Sequence, residues 1–258
     1  MPFTISHCAA VLPFSRHLRR LRVLSAAVIG SMVPDFGYLL PWRYSRFETH
    51  SAVALATFCL PVGLASYWIF ELLIKNAVLE ILPDKPYARS RPYALPASFA
   101  SLRQWCIAIA GIEGGAVLHL VWDGFTHEGA RGVRMIPALN DTVAEIAGHH
   151  LLAYTLMQQL SSMLGLAVVL WIAWRALHLP APQPVGARFL GARERRLWVG
   201  AYAAAALLAG GAALLSLHAG GFGMGAIAND VAIAALRGMA ASLLAVSVCL
   251  DLRLRMRR

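Results

Sequence analysis

The sequence LHLVWDGFTHEG, residues 118–129, ends a long apolar run and carries ionisable side chains within it. His119, Asp123 and His127 stand at positions i, i+4 and i+8, so on a helix they fall roughly on one face. Imidazole and carboxylate groups at this spacing can bind one metal ion together. Ionisable groups inside membrane-spanning stretches are costly and by default indicate function. This stretch therefore predicts a helix with a site near its end.

The composition of the whole chain indicates a membrane protein. Hydrophobic residues make up 59% of the 258 residues, charged residues make up only 14%, and the mean hydropathy is +0.61. Soluble domains are typically about 25% charged. The formal net charge is +10, but the arginines lie in short loops between apolar runs, where membrane topology explains them better than nucleic-acid binding. We therefore expect membrane lipids as partners, and no nucleic acid.

Long apolar runs decide the expected fold class, because a helix needs about 20 apolar residues to cross a bilayer. We assign spans at about residues 23–41, 52–74, 104–125, 151–177, 198–218 and 226–250. The shorter run at 2–14 predicts a half-span, and polar loops are expected at 75–103 and 128–150. The expected fold is all-α, a polytopic transmembrane helix bundle of about six spans plus an N-terminal half-span.

Basic residues are concentrated in the stretches 16–22, 75–103, 178–197 and 253–258. Loops rich in Lys and Arg lie on the cytoplasmic side of membrane proteins, so this pattern predicts a cytoplasmic C-terminus. We expect an integral protein of a bacterial inner membrane. Its expected parts are a membrane domain (1–177), a cytoplasmic basic linker (178–197) and a C-terminal pair of transmembrane helices (198–258).

The same topology brings six ionisable residues into the outer half of the membrane. Asp35 ends one span on that side, His50 begins the next, and the motif at 119–127 ends a third. His7 joins them if residues 2–14 form a short helix that runs inward from the outer face. The candidate metal ligands are His7, Asp35, His50, His119, Asp123 and His127.

Imidazole and carboxylate ligands without thiolate suit a divalent metal, zinc first, with manganese or iron as alternatives. A catalytic zinc commonly keeps about three protein ligands and an open position, so some of the six would only orient the others or bind a second ion. Asp35 and Asp123 are the candidate catalytic carboxylates, which would orient or deprotonate a water. Structural alternatives stay open: His119 and Asp123 as a hydrogen-bonded pair, and Thr126-His127 as a helix-end cap.

Ordered motifs in the chain resemble an uncharacterised bacterial membrane family, domain of unknown function 4184. The motifs are Met-Pro-Phe-Thr-x-Ser-His at the N-terminus, Gly30-Ser-Met-Val-Pro-Asp35, Thr49-His50-Ser51 and His119-x-x-x-Asp123-x-x-Thr126. More distantly, the chain resembles the LexA-binding, inner-membrane-associated metal-dependent hydrolases. His7, Asp35, His50, His119 and Asp123 fall on matching positions of their motifs. This resemblance implies a membrane-embedded metal hydrolase.

The chain departs from those hydrolases at three motif positions. Gly37 stands in place of an aspartate, Ser45 in place of a histidine, and His127 in place of a proline. Two potential ligands are thereby lost and one is gained, which favours one ion over two.

These features favour a membrane-embedded, metal-dependent hydrolase that acts on an amphipathic or lipid-linked (phospho)ester through a metal-activated water. Arginines in the outer links are candidate phosphate ligands or interfacial side chains. They are Arg43, Arg46, Arg131 and Arg134. A transporter or proton relay stays open, although no internal repeat supports it. So does a non-catalytic scaffold in which a structural metal site joins helices.

Overall fold

The structure is a computed structural model that describes residues 4–40, 42, 44–91, 101–146, 148–178, 188–218 and 224–256. It is 84% helical, which confirms the all-α prediction. A 3-10 helix (Thr4–Phe14) opens the described chain, and a second one (Val33–Tyr38) follows α2. The α-helices are α1 (Ser15–Arg20), α2 (Leu24–Gly30), α3 (Arg46–His50), α4 (Ala52–Ile81), α5 (Asp84–Ser90), α6 (Leu102–Thr126), α7 (Arg131–Met135), α8 (Ala153–His178), α9 (Ala192–His218) and α10 (Met224–Arg255).

Four helices in the described part of the chain are long and apolar enough to cross a membrane. They are α4, α6, α8 and the Ile233–Arg255 part of α10. The expected span at 23–41 is instead divided between α2 and the 3-10 helix at Val33–Tyr38, where Pro34 offers no N–H to continue an α-helix. Residues 198–218 are helical, within α9, but α9 is not among the four. The count of six spans is therefore not confirmed.

Two regions expected to be loops contain regular structure. Helix α4 runs on to Ile81, past the apolar stretch, and Lys75 Nζ lies 2.8 Å from Glu71 Oε2 on the preceding turn. Such an i, i+4 pair stabilises a helix beyond its apolar part. Within 128–150, the chain forms α7, a 3-10 turn (Pro137–Asn140) and an antiparallel hairpin. The hairpin pairs β1 (Thr142–Ile146) with β2 (His149–Leu152), and Gly148 in its turn has φ +78°.

The chain divides into two compact units. The first contains Met1–Gly37, Tyr44–Tyr67 and Ala97–Trp174, and the second contains Tyr38–Arg43, Trp68–Pro96 and Arg175–Arg258. In the second unit, Ala77 of α4 packs with Leu190 and with Leu250 and Leu254 of α10. Residues 179–187 of the expected basic linker lie outside the described residues. The three-part division expected from the sequence stays a prediction.

In the first unit, glycines let α2 and α6 approach until their backbones touch. A Cβ atom on Gly30 would lie 2.1 Å from the Ile112 carbonyl oxygen, and one on Gly115 would lie 2.2 Å from the Ala27 carbonyl oxygen. Neither clash can be relieved by moving a side chain, so larger residues do not fit at either position. This contact places the segment after α2 beside the C-terminal half of α6.

Candidate metal centre

Helix α6 presents a continuous buried face that ends in the cluster of ionisable residues. Its buried positions follow helical spacing through Gly111, Gly115, His119 and Asp123. His119 is 0% exposed and Asp123 only 2% exposed. The face expected from the i, i+4 spacing is thus formed, and its polar members are buried with its apolar ones.

The short segment after α2 contributes Asp35 and a backbone carbonyl. Asp35 lies in the second 3-10 helix, is 2% exposed, and donates its backbone N–H to the Met32 carbonyl at 3.0 Å. The Ser31 carbonyl oxygen lies 2.8 Å from His119 Nδ1. Because α2 is held against α6 at Gly30, this loop can approach His119 without an intervening side chain.

His50 is positioned by two consecutive helix caps. Ser45 begins α3 with a capping box: its backbone N–H donates to Glu48 Oε2 at 2.7 Å, and Glu48 N–H donates to Ser45 Oγ at 3.3 Å. Hydrogen bonds from Ser45 lower the pKa of the Glu48 carboxyl, so the cap carries a negative charge at neutral pH. Ser51 then caps the start of α4 by accepting from Ala54 N–H at 3.1 Å. His50 therefore lies at the corner between two helices.

His7 reaches the cluster because the N-terminal 3-10 helix packs on α8. Ser6 Oγ donates to the Ser162 carbonyl at 2.7 Å, and a Cβ on Gly165 would come within 2.8 Å of the Ser6 carbonyl oxygen. The His7 ring stacks on the His119 ring with 3.8 Å between centroids. The structure therefore brings together all six residues expected to form a site.

Four atoms that could bind a metal ion, from three segments of the chain, face one another at the centre of this cluster. The separations are 3.3 Å for Asp35 Oδ1–His50 Nε2, 3.5 Å for Asp123 Oδ2–His119 Nε2, 3.6 Å for Asp123 Oδ2–His50 Nε2 and 3.7 Å for Asp35 Oδ1–His119 Nε2. All four distances exceed the usual 2.7–3.2 Å of an N–H···O hydrogen bond. Zinc bonds of roughly 2.0–2.2 Å at tetrahedral angles would separate neighbouring ligand atoms by about 3.4 Å.

The hydrogen bonding of His119 makes these atoms suited to a cation. A carbonyl oxygen can only accept, so His119 Nδ1 carries the hydrogen that the Ser31 carbonyl receives. In the neutral ring, Nε2 is then a bare lone pair that faces two carboxylates, which are also acceptors. Buried polar atoms normally have partners, yet no hydrogen bond reaches the cluster atoms Asp35 Oδ1, Asp35 Oδ2, His50 Nε2, His119 Nε2 and Asp123 Oδ1. A divalent cation would satisfy these donor atoms together.

His127 has a different environment from the central four. Gln158 Nε2 lies 2.9 Å from His127 Nε2, so an amide N–H can donate to that nitrogen. The neutral ring would then carry its hydrogen on Nδ1, which lies 3.4 Å from Asp123 Oδ1. Burial lowers the pKa of His127, which favours the neutral ring. Nδ1 also lies 3.1 Å from Thr126 Oγ1, so both ring nitrogens have polar partners, and this arrangement suits a residue beside the Asp123 carboxylate more than one that binds the ion.

Asp123 has neighbours on both carboxylate oxygens. His7 Nε2 lies 3.6 Å from Oδ1, and Arg46 Nη2 donates to Oδ2 at 3.1 Å. Two groups of three residues have possible ligand atoms within 4.8 Å of one another. One group is His7, His119 and Asp123, and the other is Asp35, His50 and His119. Both groups need the one free nitrogen of His119, so the geometry favours a single ion. This agrees with the expectation from the motif departures, which stays a prediction.

Some groups that contact the cluster were not among the sequence candidates, including Thr49, whose Oγ1 atom lies 2.7 Å from His50 Nδ1. The Ser31 carbonyl acts through the backbone, so no side-chain pattern could have indicated it. Gln158 was visible as a polar residue inside the apolar run 151–177, and that was the one available signal.

These elements define an all-helical protein with membrane-length helices and a buried His/Asp cluster fit for a divalent cation. The chain belongs to the family described as a domain of unknown function (DUF4184), whose model matches residues 1–248, as the motifs had predicted. Comparisons with curated proteins and with solved structures gave no match. The bacterial origin and the likeness to metal-dependent hydrolases therefore remain predictions.

Proposed function

We propose that this protein is a membrane-embedded, metal-dependent hydrolase that acts on an amphipathic or lipid-linked (phospho)ester. The observation that carries the proposal is the convergence of buried ligand atoms from Asp35, His50 and His119, which have no hydrogen-bond partners, beside Oδ2 of Asp123. Leaving several buried polar atoms unpaired is destabilising, at about 1–3 kcal/mol for each group. Such an arrangement is expected where a ligand supplies the missing interactions.

The donor set fits zinc first, with manganese or iron as alternatives, because it combines imidazole and carboxylate without thiolate. When bound, a divalent ion supplies Lewis acidity, which polarises a substrate oxygen and lowers the pKa of water to near 7. The Ser31 carbonyl fixes the ring of His119 through Nδ1, a contact that orients metal-binding histidines in general. Arg46 holds one oxygen of Asp123 by donating to Oδ2, and His127 lies beside the other.

Asp35 is the best candidate for the general base. Both of its carboxylate oxygens lack hydrogen-bond partners, so one can face the centre while the other accepts a proton from water. Asp123 is less free, since Arg46 already donates to its Oδ2 atom. We therefore assign Asp35 to proton transfer and Asp123 to holding the centre together.

Arg46 is the candidate that would recognise a phosphate. Its side chain is 42% exposed, and its Nη2 atom contacts Asp123, so it extends from the buried cluster to the protein surface. A guanidinium group can bind a phosphate through two parallel hydrogen bonds. Arg131 and Arg134 are exposed on α7, and Arg43 lies outside the described residues. Arg46 is therefore the described outer-link arginine that best fits this role.

The four apolar helices support an integral membrane location. The distribution of basic residues supports an inner membrane, a cytoplasmic C-terminus and a site in the outer half of the bilayer. A scaffold with a structural ion is the second candidate, because His119 is 0% exposed and the donors come from three segments that an ion would join.

Metal analysis and hydrolysis assays on the purified protein test the proposal. We expect about one zinc per chain and hydrolysis of lipid phosphoesters or esters, both lost in His119→Ala. His17→Ala removes an exposed histidine outside the cluster and should change neither. A wild-type protein that binds no stoichiometric metal after zinc loading would overturn the proposal. Stoichiometric zinc without hydrolysis of any such ester would favour the structural ion instead.

A further inference from the structure

A cavity of about 550 Å³ begins at the cluster and continues along α8 within the first unit. It lies between the N-terminal 3-10 helix and helices α6 and α8. Its volume is within the roughly 300–1,000 Å³ that is common for small-molecule sites. The cavity has a polar end and an apolar end, so we expect its occupant to have a polar group at one end and an apolar part at the other.

The polar end is lined by His7, Asp123 and His127 of the cluster. It also contains an ordered set of uncharged polar groups. Trp122 Nε1 donates to Ser161 Oγ at 3.2 Å, and Ser161 Oγ donates to the Gln158 carbonyl at 3.2 Å. A polar head group placed here would lie beside Asp123. The Oδ2 atom of Asp123 accepts a hydrogen bond from Arg46.

The rest of the cavity is lined by apolar side chains of membrane-length α8 and of the N-terminal helix. Those that define it are Ala9, Leu12, Pro13, Leu164, Val168 and Ile172. A helix rises roughly 1.5 Å per residue, so the lining from Gln158 to Ile172 covers about 21 Å. Leu164 is 67% exposed, which leaves the groove open along α8. An apolar chain can therefore enter from the bilayer.

We propose that this groove binds the single apolar chain of a lipid whose phosphate head reaches the cluster. The proposal rests on the proposed function and names its substrate class, a single-chain lipid phosphoester. The groove suits one chain because the N-terminal helix and α8 are in backbone contact at Gly165, where a Cβ would meet the Ser6 carbonyl oxygen at 2.8 Å. Arg46 does not line the cavity, but it donates to Asp123, which does, so its guanidinium and a bound ion would offset the charge of that carboxylate where the phosphate would lie.

Photo-crosslinking tests the groove independently of turnover. The protein in nanodiscs of uncharged lipid is labelled with a single-chain alkyl phosphate and, in a separate arm, a prenyl phosphate, each with a photoreactive group on the chain. We expect crosslinks to map to the groove residues of α8 and the N-terminal helix. Either probe labelling the groove supports the proposal, and the stronger one identifies the chain as acyl-like or isoprenoid. Labelling elsewhere, or equal competition by a two-chain phosphatidic acid, overturns it.

Groove-filling variants supply the matched comparison. Val168→Trp should reduce crosslinking about tenfold, and Leu164→Trp should reduce it in the same direction, with zinc content unchanged. Leu170→Trp is the control, since Leu170 is 58% exposed on the same helix but does not line the cavity. Unchanged labelling in a folded Leu164→Trp protein would overturn the proposal even if Val168→Trp does not fold.

The two proposals fail in different ways. Probe binding in the groove without any hydrolysis would support the lipid site and contradict the hydrolase proposal. If lipid esters are hydrolysed equally well by both groove-filling variants, the result would support the hydrolase proposal and contradict the lipid site.

Discussion

Charged side chains are buried in both units of the chain, but the distances to their partners differ. In the second unit, Arg188 donates to the Leu82 carbonyl at 2.7 Å, and Lys75 lies 2.8 Å from Glu71. In the first unit, the central atoms of the cluster lie 3.3–3.7 Å apart, and those of Asp35, His50 and His119 have no hydrogen-bond partner. Contacts at hydrogen-bond distance stabilise a fold by themselves. Wider contacts between unpartnered buried atoms fit a site that a cation can occupy.

Arg188 shows how the second unit satisfies a cation. Its guanidinium lies over the Tyr87 ring at 3.8 Å and pairs with Asp84, in addition to the carbonyl contact. The partners include the Glu80 and Leu82 carbonyls at the end of α4, where carbonyls lack intrahelical donors. The acceptors around Arg188 are therefore matched to a charge that the chain itself supplies, whereas the acceptors Asp35 Oδ1 and Oδ2 of the cluster have no such partner in the described structure.

Chelation should produce the largest difference between the two regions. An ion that binds only the folded state stabilises it by about 2.7 kcal/mol at a free concentration of 100 Kd. We expect a chelator to lower the Tm of the wild-type protein and to leave the Tm of His119→Ala unchanged. A thermal-unfolding series with and without EDTA measures this. An equal Tm shift in both proteins would show that the cluster is not the source of the stabilisation.

Replacing Arg188 should give the opposite pattern. Arg188→Ala removes hydrogen bonds to part-buried carbonyl acceptors, at a cost of about 1–3 kcal/mol, and should not alter zinc content because these acceptors, in Glu80 and Leu82, do not belong to the cluster. Asp84→Asn is the control: the Asp84 side chain is 78% exposed, so loss of its ion pair should cost less than about 1 kcal/mol. Denaturant unfolding and metal analysis measure both effects. Zinc loss in Arg188→Ala would contradict the separation of roles.

The sequence predicted the members of the cluster because three physical signals agreed. Spacing of i, i+4 put His119 and Asp123 on one face, and their apolar surroundings marked both as costly. The topology inferred from basic residues, together with the motifs, added Asp35, His50 and His7. Each signal depends on neighbouring residues or on an average over the chain, so it can be read from the sequence without knowledge of tertiary contacts.

Features that depend on tertiary contact were beyond the sequence. The backbone contact between α2 and α6 at Gly30 is one that no hydropathy window detects, although Pro34 is visible in the sequence as a residue that cannot continue an α-helix. The Ser31 carbonyl that fixes His119 carries no side-chain signal. Helix α4 continues to Ile81, whereas the hydropathy pattern predicts a loop from residue 75.

The smallest expected effect concerns how His50 is held. Ser45→Ala removes the cap of α3, which should cost about 1 kcal/mol of stability and weaken zinc binding, because α3 positions His50. Ser101→Ala is a matched control: Ser101 forms the same kind of capping box with Gln104 at the start of α6, far along that helix from His119. It should cost similar stability and leave zinc affinity unchanged.

Zinc titration of the two capping variants, alongside denaturant unfolding, separates stability from positioning. Neither serine lies within the cluster, so a difference in affinity can arise only through the helix that each one caps. Equal weakening of zinc binding in both would mean that the centre responds to global stability alone. Weakening confined to Ser45→Ala would show that the cap of α3 holds His50 in place.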